Sequence, residues 1–256
     1  MKNLNIFFLV IFACNSIMMF GQKNVQGKIV YEQRIESANY LKSYNLYFDS
    51  EKSYYEEKVK ANLEKSETKE EDGTTFYATR DNKKPQFYFN STDKGFFFSE
   101  VILNKHLFVK EDFKLKWELS NEIKSIGEYK CQKATTNFRG RKYTVWYTTE
   151  IPVVFGPWKL HGLSGLILQA HDDKNYFQIN VKNISVNSDS QMKVTDFSEE
   201  DLSTAMSVPV FIETKIKLQE EFIAKLSSRL PQGAAPLQID KNCKDCGEEL
   251  EYFEEK

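Results

Sequence analysis

Histidine is scarce in this sequence, and the residue patterns of several common enzyme sites are missing. The chain has 3 His among 256 residues, and His171 alone has acidic neighbours, Asp172 and Asp173. This pattern does not favour a catalytic zinc or a Ser-His-Asp triad. No glycine-rich phosphate loop, dinucleotide fingerprint or local carboxylate pair is recognisable. We therefore predict no catalytic, cofactor-binding or metal-binding residue.

An excess of charge of one sign is also missing. The 35 Lys+Arg and 37 Asp+Glu give a formal net charge of −2. Proteins that bind nucleic acid through its phosphates carry a clear basic excess, so we expect no nucleic-acid partner. Charges of both signs alternate within residues 51–72, which favours a solvated loop or an edge extension over a binding patch.

Long apolar runs are absent except near the N-terminus. Lys2 precedes an almost uncharged stretch at residues 6–20, which ends at the small residue Gly21. This layout predicts a secretory signal peptide at residues 1–21 and no transmembrane span after its cleavage. An uncleaved anchor and lipid attachment at Cys14 are the alternatives. We expect an exported protein that is periplasmic, envelope-associated or secreted.

Cysteine is rare, and three of the four cysteines follow the predicted leader. Cys243 and Cys246 can form a small disulfide loop in an oxidising compartment. Pairing of Cys131 with one of them is the main rival. The Cys-x-x-Cys spacing also suits a redox site or half of a zinc site, but it lies in an acidic tail without nearby His.

Aromatic residues, by contrast, are plentiful at 14%, and period-two alternation recurs along the chain. Both features favour strands. The pattern predicts strands at 29–35, 44–48, 75–79, 86–90, 96–103, 106–110, 114–119, 130–138, 142–148, 165–171 and 176–184. Turn signals such as Arg139-Gly140 separate many of them. We expect a mainly β protein of the α+β type, with a curved antiparallel sheet, half-open barrel or sandwich.

One helix is predicted near the end of the chain. Ser207 is a suitable N-cap, and apolar residues recur at helical spacing over about 208–229. Its apolar stripe is expected to cover the sheet. The predicted organisation is thus a leader at 1–21, one β-rich domain at 22–230, and an acidic cysteine-containing tail at 231–256.

Several motifs occur in order between residues 117 and 184. They include Gly127-Glu128-Tyr129, Trp146-Tyr147-Thr148-Thr149, Gly156-Pro157-Trp158-Lys159 and Gly162-Leu163-Ser164-Gly165-Leu166-Ile167. Together they resemble the GLPGLI family of exported bacterial proteins, typical of Bacteroidetes. The resemblance implies a signal peptide and no established activity. It also implies gene neighbourhoods with TonB-dependent receptor systems, which makes an envelope protein of that kind a candidate partner.

Ser164 stands where that family has proline. The segment loosely resembles a hydrolase nucleophile elbow, but Gly-x-Ser-x-Gly fails because Leu166 follows Gly165. We therefore predict a structural turn leading into a buried strand. The residues assigned to this signature turn are Gly156, Pro157, Trp158, Gly162, Leu163, Ser164, Gly165, Leu166 and Ile167.

The predicted sheet and helix are similar to the half-open barrel of periplasmic lipoprotein carriers. At the level of fold alone, this analogy suggests an apolar concavity. Our first hypothesis is a non-enzymatic envelope protein that binds an apolar ligand or a partner protein. The alternative is a hydrolase whose site is assembled only in three dimensions. Redox or metal handling by Cys243 and Cys246 is a third hypothesis.

Overall fold

The computed structural model describes residues 25–36, 40–58, 66–69, 75–78, 86–103, 105–186 and 194–230. Strands dominate these residues, and two helices follow near the end. The elements are β1 (Gly27–Ile35), β2 (Tyr40–Phe48), β3 (Lys52–Glu57), β4 (Ser66–Lys69), β5 (Thr75–Ala78), β6 (Phe87–Ser91), β7 (Gly95–Ile102), β8 (Lys105–Glu111), β9 (Glu118–Ile126), β10 (Tyr129–Phe138), β11 (Arg141–Thr148), β12 (Leu166–Asp172), β13 (Phe177–Val186), α1 (Glu199–Ser203), β14 (Met206–Ser207) and α2 (Val208–Ser227).

Twelve strands form one open, curved sheet in the order β14-β8-β7-β6-β3-β2-β1-β13-β12-β11-β10-β9. Neighbouring strands are antiparallel, except that β14 runs parallel to β8. The strands β4 and β5 form a separate hairpin. The predicted fold class, a mainly β protein with a curved antiparallel sheet and a C-terminal helix, is confirmed.

Alternation along the strands creates the core. In β1, Ile29, Tyr31, Gln33 and Ile35 are buried, while the residues that alternate with them are partly or fully exposed. Antiparallel strands with one face on the core show this pattern. The main apolar cluster joins residues from both halves of the sheet, including Phe98 of β7 and Tyr143 of β11. The sheet is therefore curved around a single main core.

A second, smaller cluster lies on the outer face of the sheet. Tyr54, Phe89 and Phe97 are covered there by Val194 and Leu202 from the segment that contains α1. This segment, residues 194–205, directly precedes β14 in the chain. It shields an aromatic patch that would otherwise face water.

Helix α2 begins directly after Ser207, with Pro209 in its first turn. Phe211 and Leu218 are buried, and the Phe211 ring packs edge-on against Phe98 with ring centroids 5.5 Å apart. Phe222, one turn beyond Leu218, is exposed. The helix thus covers the sheet through its first part. Among the described residues, no helix is long and apolar enough to cross a membrane.

Two local predictions were wrong. The charged stretch 51–72 was expected to be a loop or an edge extension, but its start forms β3 between β2 and β6. Tyr54 and Tyr55 of β3 are buried, and this aromatic burial outweighs the charge around them. The strand expected at 114–119 belongs mostly to the connection between β8 and β9, because β9 begins only at Glu118.

Candidate functional site

The predicted signature turn belongs to a longer connection between β11 and β12, residues 149–165, which we call the signature loop. Its buried apolar side chains are Ile151, Val153, Phe155, Trp158, Leu160 and Leu163. All of them join the main core cluster. The loop therefore packs inside the curve of the sheet instead of projecting into solvent.

Trp158 anchors the signature loop. Its ring centroid lies 5.1 Å from that of Phe177, 5.6 Å from that of Tyr143 and 6.0 Å from that of Phe138. Its backbone has a φ of 54°, which is unfavourable for a large side chain. The packing of the indole ring on three strands holds this strained turn in place.

Two glycines of the signature loop are required by close backbone approaches. A Cβ at Gly156 would lie 2.1 Å from the carbonyl oxygen of Leu160, and one at Gly165 would lie 2.2 Å from that of Thr148. Such distances exclude any side chain unless the backbone moves. The structure accordingly places both glycines at tight backbone crossings.

The residues that follow these crossings are held by the core. Leu166 and Ile167 begin β12 and are buried, and the carbonyl oxygen of Ile167 accepts a hydrogen bond from the Tyr31 hydroxyl at 2.7 Å. Ser164 is exposed, whereas its neighbour Leu163 is buried. The apolar residues of the signature turn therefore pack in the core, and Ser164 lies at the surface.

A buried ionic cluster connects the signature loop to the end of β8. Glu111, the last residue of β8, accepts one hydrogen bond from Lys159 Nζ and one from the Arg139 guanidinium, each at 2.6 Å. The side chains of Glu111 and Lys159 are both only 1% exposed. Lys159 Nζ also lies 3.9 Å from the ring centroid of Phe98. The lysine is thus held by a carboxylate and by an aromatic face.

His161 lies beside this cluster but is neutral at physiological pH. Its ring packs against Phe96 and Phe113, with centroids 5.6 and 5.0 Å away. Burial lowers the pKa of His161 to about 4, although the nearby Glu111 carboxylate acts in the opposite direction. Its backbone carbonyl accepts a hydrogen bond from the Trp117 indole at 2.9 Å.

A second buried ion pair involves Asp172, one of the two acidic neighbours of His171. Asp172 binds Arg141 at 2.8 Å, and its other carboxylate oxygen accepts a hydrogen bond from the Phe177 amide at 3.0 Å. Both carboxylate oxygens of Asp172 are therefore hydrogen-bonded, and they stabilise the turn between β12 and β13. Within the described ranges, no group of three or more His, Cys, Asp or Glu could hold a metal ion.

Cys131 is fully buried and has no disulfide partner among the described residues. Burial raises its pKa to about 11, and the positive charge of Lys124 opposes part of this shift. The alternative in which Cys131 pairs with a tail cysteine stays a prediction, because both tail cysteines lie outside the described residues. The predicted Cys243–Cys246 disulfide, the predicted leader at 1–21 and the tail at 231–256 lie outside the described residues.

Sequence reasoning missed the roles of Glu111, Arg139 and Lys159. Charged residues are usually exposed, and nothing local distinguishes these three. One signal was available: Lys159 directly follows Trp158 in the most apolar part of the signature loop. A lysine flanked by such residues has to find a buried partner if the loop packs inward.

Three comparisons with known proteins bear on this arrangement. A family model described as the N-terminal domain of an N-glycanase matches residues 90–205, a little under half of the chain. This range contains β7 to β13, the signature loop, the ionic cluster around Glu111 and the ion pair of Arg141 with Asp172. Among curated proteins there is no match.

The chain is also similar in shape to solved structures of PNGF-II in space groups P21 and C2. The TM-scores are 0.48 and 0.47, with 15% and 14% sequence identity. The similar region covers 75% and 76% of this chain, but 33% of each PNGF-II chain. The similar region spans about a third of the length of the PNGF-II chains.

Proposed function

We propose that this protein is an exported, non-catalytic protein of the cell envelope that recognises glycoconjugates. The observation that carries this proposal is the match of residues 90–205 to the N-terminal domain of an N-glycanase. The buried polar groups of that region are used in packing: Lys159 and Arg139 bind Glu111, and Arg141 binds Asp172. Such pairs fix a scaffold, which suits a recognition domain better than a reaction centre.

Buried side chains fill the inner side of the curved sheet, and this favours recognition on an outer surface. Trp158, Leu160 and Leu163 of the signature loop occupy the inside of the curve, where a ligand of a half-open barrel would lie. An apolar ligand in that position would have to displace packed aromatic side chains. We therefore favour a glycoconjugate or an envelope partner over an apolar ligand.

The proposed location comes from the sequence. The signal-peptide pattern at residues 1–21 and the resemblance to the GLPGLI family both support export to the envelope. The same resemblance supports a TonB-dependent receptor system as a partner. Mass spectrometry of the exported protein tests the first point: a chain that starts at Gln22 supports export, and an intact leader contradicts it.

The proposed activity is tested by glycan binding and glycan release with the exported chain. We expect it to bind members of an array of neutral and anionic N-glycans and to release no glycan from a glycopeptide. Glycan release would instead support the alternative, a hydrolase with a site assembled in three dimensions. Absence of binding across the array would overturn the recognition function.

A further inference from the structure

Four side chains from different strands form a connected row on the outer face of the sheet. They are Lys124 of β9, Trp146 of β11, Gln169 of β12 and Asn180 of β13. Trp146 is paired with Gln169, and Gln169 with Asn180, in the registers of neighbouring strands. Paired residues of antiparallel strands project from the same face. Trp146 alternates with the buried Val145 and Tyr147, so this row lies on the opposite face from those two side chains. The Trp146 ring itself is partly buried and packs against the main core cluster.

The row is ordered by direct contacts. The ammonium group of Lys124 lies 4.3 Å from the ring centroid of Trp146 and donates a hydrogen bond to the side-chain oxygen of Gln169. The amide nitrogen of Gln169 donates to the side-chain oxygen of Asn180 at 2.8 Å. An aromatic ring, an ammonium group and two amides are therefore held together on a half-exposed surface, before any ligand binds.

Lys124 differs from the other lysines of this surface in its partners. Lys133 binds Glu122 at 2.7 Å, and Lys182 binds Glu32 at 2.7 Å. In the part of the chain that the structure describes, Lys124 contacts a ring and an amide but no carboxylate within ion-pair distance. Partial burial also lowers its pKa, as expected for a cation that has lost some of its water. An anion would restore that lost stabilisation.

We propose that Lys124, Trp146, Gln169 and Asn180 form a binding site for an anionic sugar, and this site rests on the proposed glycan-recognition function. Lys124 binds the carboxylate or sulfate of the sugar. Trp146 supplies an electron-rich surface for the C–H groups of the pyranose ring, and the two amides exchange hydrogen bonds with its hydroxyls.

Binding of three probes by the exported chain tests this site: 3′-sialyllactose, lactose 3′-sulfate and uncharged lactose. A charge-assisted hydrogen bond supports about a tenfold preference for at least one anionic probe over lactose. Lys124→Met keeps the aliphatic stem, removes the charge and should abolish the preference. Lys142→Met, at an exposed lysine on β11, is the matched control and should preserve it. Trp146→Leu should weaken binding of all three probes.

The outcomes distinguish a failure of the proposed site from a failure of the proposed glycan-recognition function. An anionic preference that survives Lys124→Met, with the variant folded by circular dichroism, overturns the site. Binding of lactose with equal or greater affinity also overturns the site, while the recognition function stands. Binding of none of the three probes, with other glycans bound on the array, overturns the site alone. No binding to any glycan overturns both proposals.

Discussion

The ammonium group of Lys159 lies 2.6 Å from a carboxylate oxygen of Glu111, and both side chains are almost completely buried. The two residues are 48 positions apart, one in the signature loop and the other at the end of β8. Because Trp158, the neighbour of Lys159, packs on β10, β11 and β13, the pair ties opposite parts of the sheet to a single loop.

Removal of the carboxylate should strongly destabilise the protein. In Glu111→Ala, Lys159 and Arg139 lose their shared carboxylate, and removing one member of a buried ion pair costs about 3–5 kcal/mol of unfolding free energy. Lys159→Met should cost less, because Glu111 keeps Arg139 and the methionine fills the space of the stem. Urea unfolding measures both values. If Glu111→Ala is as stable as the exposed-site control Lys142→Met, the ionic cluster does not hold the loop.

Glycine substitutions in the signature loop should differ in cost according to the space around each Cβ. Gly156→Ala forces a Cβ against the Leu160 carbonyl and should cost about 3 kcal/mol. Gly162→Ala has no such clash but has a φ of 91°, so backbone strain of about 1–2 kcal/mol is expected. Ser164→Ala, at an exposed position, should change stability by less than about 0.5 kcal/mol.

Thermal or urea unfolding of these three variants gives the order directly. A Gly156→Ala variant as stable as Ser164→Ala would contradict the close approach to Leu160. Ser164→Ala also tests the nucleophile elbow that the sequence loosely resembles. If the protein releases glycans and this variant abolishes the activity, Ser164 has a role beyond the turn.

The general fold could be predicted because its signals are local. Ile29 and Tyr31 show the period-two burial of a strand, and Arg139-Gly140 forms a hairpin turn with φ values of 48° and 78°. The buried pair of Glu111 and Lys159 could not be predicted, since it depends on how distant strands curve together. The Lys124 row needs the four strand registers between β9 and β13, which one sequence does not specify.

Cys131 should be chemically inert in the folded protein. Its thiol is fully buried and its pKa is raised to about 11, so the reactive thiolate is rare at pH 8. Iodoacetamide at pH 8 should leave Cys131 unmodified in the native state and alkylate it in urea, as followed by peptide mass spectrometry. Rapid native alkylation, or a disulfide between Cys131 and a tail cysteine, would contradict the free buried thiol.

Asp196 should make the outer segment 194–205 sensitive to acid. Lys52 and Lys94 bind its carboxylate at 2.6 and 3.1 Å and lower its pKa from 3.8 to about 2. A lowered folded-state pKa means that this stabilisation is complete above about pH 4 and is lost as the pH falls through about 2. Because Asp196 is substantially exposed, solvent screening keeps the effect small and local.

Hydrogen exchange measures this local effect. Amides of 194–205 should exchange faster as the pH falls from 4 to 2, after correction for the intrinsic pH dependence of exchange. Asp196→Asn, which cannot ionise, should remove that pH dependence and exchange faster already at pH 4. Asp173→Asn, at an exposed carboxylate in the turn between β12 and β13, is the matched control. Equal acid sensitivity in the wild type and Asp196→Asn would show that the lysine pair does not hold the segment on the sheet.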